Sequence, residues 1–151
     1  MARILAVDPG SKRLGIAVSD PQGVIAGPYG VINHISRQKD AENIVGFALN
    51  LEVITIVVGL ATTSNGEISP SGRSAQRLAA VIQSLTDIPV VLWDESGSTI
   101  RAKETVLEMG KSRKFRRGHH DQLAAVLILQ DYLENLRDAG MENREFNFGD
   151  L

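Results

Sequence analysis

The stretch that most narrows what this chain can fold into is its opening, where an apolar run, Ile4-Leu5-Ala6-Val7, ends on an acid, Asp8. Pro9-Gly10-Ser11-Lys12 then supplies turn chemistry, and Arg13-Leu14-Gly15-Ile16-Ala17-Val18-Ser19-Asp20 returns as a second apolar-rich run. Two such runs joined by so few residues form an antiparallel hairpin. Pro21-Gln22-Gly23 makes another turn, and a third strand follows within Val24–Ile32, broken at Gly27-Pro28. The chain therefore opens with a three-stranded antiparallel meander.

Beyond it the period changes. Ile44, Phe47, Ala48 and Leu51 recur at helical spacing after a polar start at Ser36-Arg37-Gln38. The β-branched run from Val53 to Gly59 suits a strand covered on both faces. A polar loop, Ala61–Ser71, leads to a helix near Gly72–Leu85, with Leu78, Val81, Ile82 and Leu85 on one face. Pro89–Glu95 reads as a fifth strand ending in acids, followed by a helix at about Ser98–Met109 and a basic loop. The last helix, about His120–Arg137, is apolar at Leu123, Val126, Leu127, Leu129, Leu133 and Leu136. This order predicts an α/β domain over 1–138: a five-stranded mixed sheet, three antiparallel strands plus two parallel ones, flanked by helices. Residues 139–151 are expected to be an acidic C-terminal tail.

With 151 residues, 43% of them hydrophobic, one domain can bury a substantial core. No apolar run approaches the roughly 18 residues that span a bilayer. Met1–Leu5 begins no signal-peptide pattern, and the lack of cysteine excludes disulfides and thiolate metal sites, so a cytoplasmic setting is expected. The net charge of −2 hides a division: from Asp131 onward six acids face two bases, leaving the rest of the chain positive. Lys111, Arg113, Lys114, Arg116 and Arg117 concentrate that positive charge around a single apolar residue, Phe115. Such a segment, bracketed by Gly110 and Gly118, is expected to be a loop that grips a polyanion's backbone.

Ligands of open α/β sheets collect beyond the carboxyl ends of the parallel strands. Asp8 and Asp94-Glu95 stand at such ends, and Asp121 begins the last helix. Each acid alone suits a turn or a cap, as Asp20 does within Asp20-Pro21-Gln22-Gly23. Together they suit a hard cation such as Mg²⁺, which takes oxygen ligands and completes its shell with water and substrate phosphate. His119 and His120 precede Asp121 and are read as exposed residues of the basic loop, with a ligand or proton-shuttle role as the alternative. Gly10 is expected at a positive φ, or where a Cβ would crowd metal or phosphate, Gly15 at a point of close backbone approach within its strand, and Gly59 is read as a structural glycine.

Four blocks in one order resemble the YqgF/RuvX family of RNase H-like nucleases. Asp8–Asp20 is very similar to the family's DxGxKRIGvAvSD; Val57-Val58-Gly59-Leu60, with Asn65-Gly66 after it, resembles its VVGLP…dG segment. Asp94-Glu95-Ser96-Gly97-Ser98-Thr99, with Ala102, resembles DERLTT-x-x-A, and Asp121–Leu133 resembles the family's D-x-x-AA-x-x-IL-x-x-YL helix. The chain departs from the pattern at Ser96, Gly97 and Ala61, where the family has Arg, Leu and Pro. The resemblance implies an RNase H-like fold, two divalent ions (Mg²⁺ or Mn²⁺) and a catalytic, metal-binding set of Asp8, Glu95 and Asp121. It implies a role in maturing the 5′ end of pre-16S rRNA. Lys12, Arg13 and the 111–117 bases, with Phe115, are then the expected nucleic-acid contacts. Precursor rRNA, ribosomal particles or branched DNA would be partners of a monomer or homodimer without membrane association. The alternatives are a Holliday junction resolvase, which must cut two strands symmetrically, and an RNA-binding module with little hydrolysis.

Overall fold

Alternate residues of the first two apolar runs go to opposite faces of one sheet, as the two-residue period of a strand requires. The computed structural model describes residues 2–95, 113–138 and 146–147, with side chains described for 2–95 and 122–138. The elements are β1 (Ile4–Pro9), β2 (Arg13–Ser19), β3 (Ala26–Asn33), α1 (Arg37–Leu51), β4 (Thr55–Leu60), α2 (Pro70–Leu85), β5 (Val90–Asp94), α3 (Arg113–Asp138) and β6 (Phe146–Asn147). Sheet order is β3-β2-β1-β4-β5-β6. The antiparallel meander and the parallel β1–β4 and β4–β5 pairs are those expected.

Two cores lie on either side of the sheet. Leu5 and Val7 of β1, Ile56 and Val58 of β4 and Val90 and Leu92 of β5 pack with α1 and α2. Ile4 and Ala6, Val57, and Val91 and Trp93 point the other way, against Ala125, Ile128, Leu129, Tyr132 and Leu133 of α3. Trp93 meets Tyr132 edge-on, and its indole N–H donates to Asp131 at 2.9 Å, so this buried ring donor is satisfied.

Both α1 and α2 begin with a serine cap at the carboxyl edge of the sheet. Ser36 accepts from the N–H of Lys39 and Ser69 from that of Gly72; Pro70 fills the first position of α2, where its missing N–H costs nothing. Helix α1 ends at Glu52, in the left-handed region (φ 54°).

Two expectations change, and the sheet gains a short edge strand. The basic segment is not a loop from Arg113 onward: α3 starts there, and it runs through Gly118. Arg and Lys are good helix formers, and a single Gly costs only about 1 kcal/mol in a helix that packing on the sheet stabilises. The five expected strands are present, and among the described residues a two-residue strand, β6, adds to the edge antiparallel to β5. Gly10 has no positive φ; among the described glycines that conformation occurs at Gly23 and Gly66. The expected helix at Ser98–Met109 and Lys111 lie outside the described residues.

Candidate active site

The strand period decides which acids meet. On β1, Asp8 follows Ile4 and Ala6 and so stands on the face that α3 covers; on β5, Glu95 follows Val91 and Trp93 onto the same face. Asp94 falls on the opposite side and is exposed, with the Thr62 hydroxyl 3.4 Å from its carboxylate. Of the two adjacent acids, Glu95 therefore belongs with Asp8.

Strand β4 runs between them. Val7 pairs with Val58 on one side, Gly59 with Trp93 on the other, and the N–H of Glu95 donates to the carbonyl of Leu60 at 3.0 Å. Adjacent strands are about 4.8 Å apart, so side chains rooted on β1 and β5 must lean over β4 to meet. Glu95 does so: its Oε2 lies 2.8 Å from where a Cβ on Gly59 would be, and Ile128 Cδ1 lies 2.6 Å from the same point. The absent side chain of Gly59 is the space that holds the carboxylate. Asp8 is half-buried at the end of β1, paired in register with Gly15 of β2.

Asp121 lies in α3 about two turns before Ile128, and its side chain lies outside those described. By strand period two of the three expected carboxylates, Asp8 and Glu95, stand on one face of the sheet, and among the described residues no group of three or more His, Cys, Asp or Glu converges. All-oxygen donors over a cradle kept open by Gly59 fit a hard divalent cation. His119, His120 and the 113–117 bases are placed in α3 by their backbone alone.

The β1–β2 turn beside Asp8 carries Lys12 and Arg13, both exposed. A Cβ on Gly10 would run into the carbonyl of Arg13, so close backbone approach is what demands glycine there. Asp20 closes the next turn as expected. Its carboxylate accepts from the N–H groups of Ile25 and Val24, which hold it below the usual carboxylate range.

A second feature escaped the sequence. A groove of about 570 Å³ opens on the other face of the same edge, between the β1–β2 turn and the starts of α1 and α2. In its wall the Asp40 side chain, 3% exposed, holds the imidazole of His34 through Nδ1 at 2.5 Å and accepts from the Ile35 N–H at 3.0 Å. His34 and Asp40 bracket the start of α1, and only the helix cap brings them together.

A family described as RuvX, Holliday junction resolvase, matches residues 2–135. A protein of Thermoanaerobacter pseudethanolicus named "Putative pre-16S rRNA nuclease" is 38% identical over 137 residues, spanning 90% of this chain and 99% of its own. One of the same name from Listeria innocua is 41% identical over 136 residues, spanning 87% and 97%. The fold is similar to T. thermophilus RuvC solved with a Holliday junction substrate, with a TM-score of 0.63, 13% identity and coverage of 93% and 98%. It is also similar to fowlpox virus resolvase solved with junction DNA, with a TM-score of 0.56, 12% identity and coverage of 89% and 98%. At such identities these structures show the fold, which is the RNase H-like one expected.

Proposed function

This chain belongs to the RuvX family, and we propose that it is a metal-dependent nuclease that cleaves precursor 16S rRNA, with Asp8, Glu95 and Asp121 as its carboxylates. The observation that carries this reading is that strand period sets Asp8 and Glu95 on one face at the carboxyl ends of β1 and β5, with the Glu95 carboxylate reaching over Gly59 of the strand between them. Two carboxylates in a half-buried site repel each other, and a cation relieves that repulsion, so the arrangement favours a bound ion. Mg²⁺ or Mn²⁺, when bound, supplies activation of water and stabilisation of the charge that develops on the phosphate.

The protein's own contribution is positional. Asp8 and Glu95 would hold the ions, with the Glu95 carboxylate and Ile128 sharing the space over Gly59 and the sheet beneath both acids. Lys12 and Arg13 on the neighbouring turn, and the bases of α3, would hold the strand by its phosphates.

The description of the matching family favours a second reading, resolution of branched DNA. Purified protein incubated with Mg²⁺ or Mn²⁺ and, in parallel, precursor rRNA, unstructured RNA and a four-way DNA junction separates them. Cleavage of precursor rRNA at a defined position, absent in Asp8→Asn, is the expected result. Symmetric cutting of the junction with intact RNA would replace it by the second reading, and no cleavage of either would overturn both.

A further inference from the structure

The groove on the far side of the β1–β2 turn has no part in the carboxylate chemistry, yet it begins where that site ends. Pro9 and Gly10, which follow Asp8 directly, form part of its lining. Leu14 and Leu78 contribute an apolar wall, and His34, Arg37, Ser71 and Ser74 supply polar groups.

Its lining is complementary to an anion with an apolar part. Arg37 is exposed, and no acid among the described residues pairs with it. Asp40 is the one acid of the lining, and both of its oxygens are engaged, one with His34 and one with the Ile35 N–H. A carboxylate so occupied is a poor cation ligand, but it fixes a ring. With Nδ1 bonded to Asp40, His34 is left with Nε2 as its remaining polar atom, held in one orientation at the groove wall. The buried acid thus ties down the backbone entering α1 and, with its other oxygen, fixes the imidazole at the groove wall.

The volume narrows the ligand. About 570 Å³ is in the range of small-molecule sites and far more than a lone phosphate fills. Apolar walls facing a guanidinium, an imidazole and hydroxyls suit a base and sugar with their phosphate.

Resting on the nuclease reading, we propose that this groove is a nucleotide subsite: it holds one nucleotide of the substrate strand next to the carboxylate site. Arg37 takes its phosphate, and His34, positioned by Asp40, makes a second polar contact. A strand would then pass over the β1–β2 turn from the groove to Asp8, with Lys12 and Arg13 on its path.

The test is binding of a fluorescein-labelled single-stranded oligoribonucleotide, followed by anisotropy in Ca²⁺ buffer over a series of salt concentrations. Wild-type protein is compared with Arg37→Gln, His34→Gln and, as a charge control on the same helix but outside the groove lining, Lys39→Gln. Without its guanidinium on the phosphate, Arg37→Gln should bind about tenfold more weakly, with a salt slope lower by about 0.7. His34→Gln should weaken binding with a smaller change in slope, and Lys39→Gln should stay within about twofold of wild type. Thermal melts confirm that each variant is folded, and the exposure of Arg37 makes its replacement tolerable. Equal affinity and slope in Arg37→Gln and wild type would overturn the subsite while leaving the nuclease reading intact. A wild-type protein that shows the Arg37 dependence but leaves precursor rRNA and junction uncut in Mg²⁺ or Mn²⁺ would overturn the nuclease reading and keep the subsite. If wild-type protein does not bind the strand at all, the subsite falls.

Discussion

Replacing Gly59 by alanine tests whether the carboxylate cradle is the working part of this fold. The added Cβ would lie 2.8 Å from Glu95 Oε2 and 2.6 Å from Ile128 Cδ1. Ordinary non-bonded separations begin near 3.4–3.5 Å, so the carboxylate must retreat by about 0.6 Å and Ile128 by somewhat more. Ile128 is fully buried in the core under α3, so part of that movement is transmitted to the helix that carries Asp121. Misplacing a positioned group by about 1 Å costs on the order of 10²-fold in rate, and a shift of this size should lower cleavage by roughly 10- to 100-fold. Overpacking should destabilise the fold by about 1–3 kcal/mol, a fall of several degrees in Tm for a domain of this size. The assay is initial cleavage rate against divalent-ion concentration, with a melting curve for each protein. Gly46→Ala is the control: nothing lies within 4 Å of its added Cβ in α1, so its rate should not change. Its stability should hold or rise by up to about 1 kcal/mol. A folded Gly59→Ala protein with wild-type rate and metal dependence would refute the reasoning, because the carboxylate would then not need the space.

Asp8→Asn and Glu95→Gln should each abolish cleavage and leave the melting temperature without metal level or raised, since a repelling charge is gone; wild-type turnover per folded molecule in either would contradict the site. Asp20 is held low by backbone N–H groups, so its stabilising contribution is present above the unfolded carboxylate pKa. It is lost as pH falls through the lower folded value. Asp20→Ala should therefore lower Tm at neutral pH and lose that difference in strong acid, and a difference that persists in acid would show that the turn does not depend on the charge. Neutralising Arg113, Lys114, Arg116 and Arg117 together should weaken RNA binding and reduce the salt slope by about 0.7 for each phosphate that is no longer neutralised; an unchanged slope would remove these bases from the interface.

The meander, the parallel strands and the α1 and α2 helices could be read from period and turn chemistry because each is a local pattern. β6 could not, since two residues show no period and only the edge of β5 makes them a strand. The start of α3 was missed because a run of charge reads as solvated whether it is coil or helix, and packing further along the helix decides which. In the site, the same two-residue period that buries Ala6 and Trp93 places Asp8 and Glu95 on one face. What Gly59 makes room for was hidden, because the occupant comes from another strand. The His34–Asp40 contact was hidden for a similar reason, since it depends on where Ser36 caps α1.

The sheet order also governs when this protein can become active during its own folding. β1 pairs first with β2 across a short turn, and the meander through Asn33 closes by short-range pairing. The pairing of Ile4 with Thr55, and then of Ile56 with Val90, must close much longer stretches of chain. Pairing across such separations is slow compared with hairpin formation. A chain emerging from the ribosome can therefore form its meander and present Asp8 while the cradle of β4 and the carboxylate from β5 do not yet exist. On the proposed assignment of the carboxylates, the site would be completed only in the nearly complete sheet, and a nascent chain beside ribosomal RNA would not yet carry it.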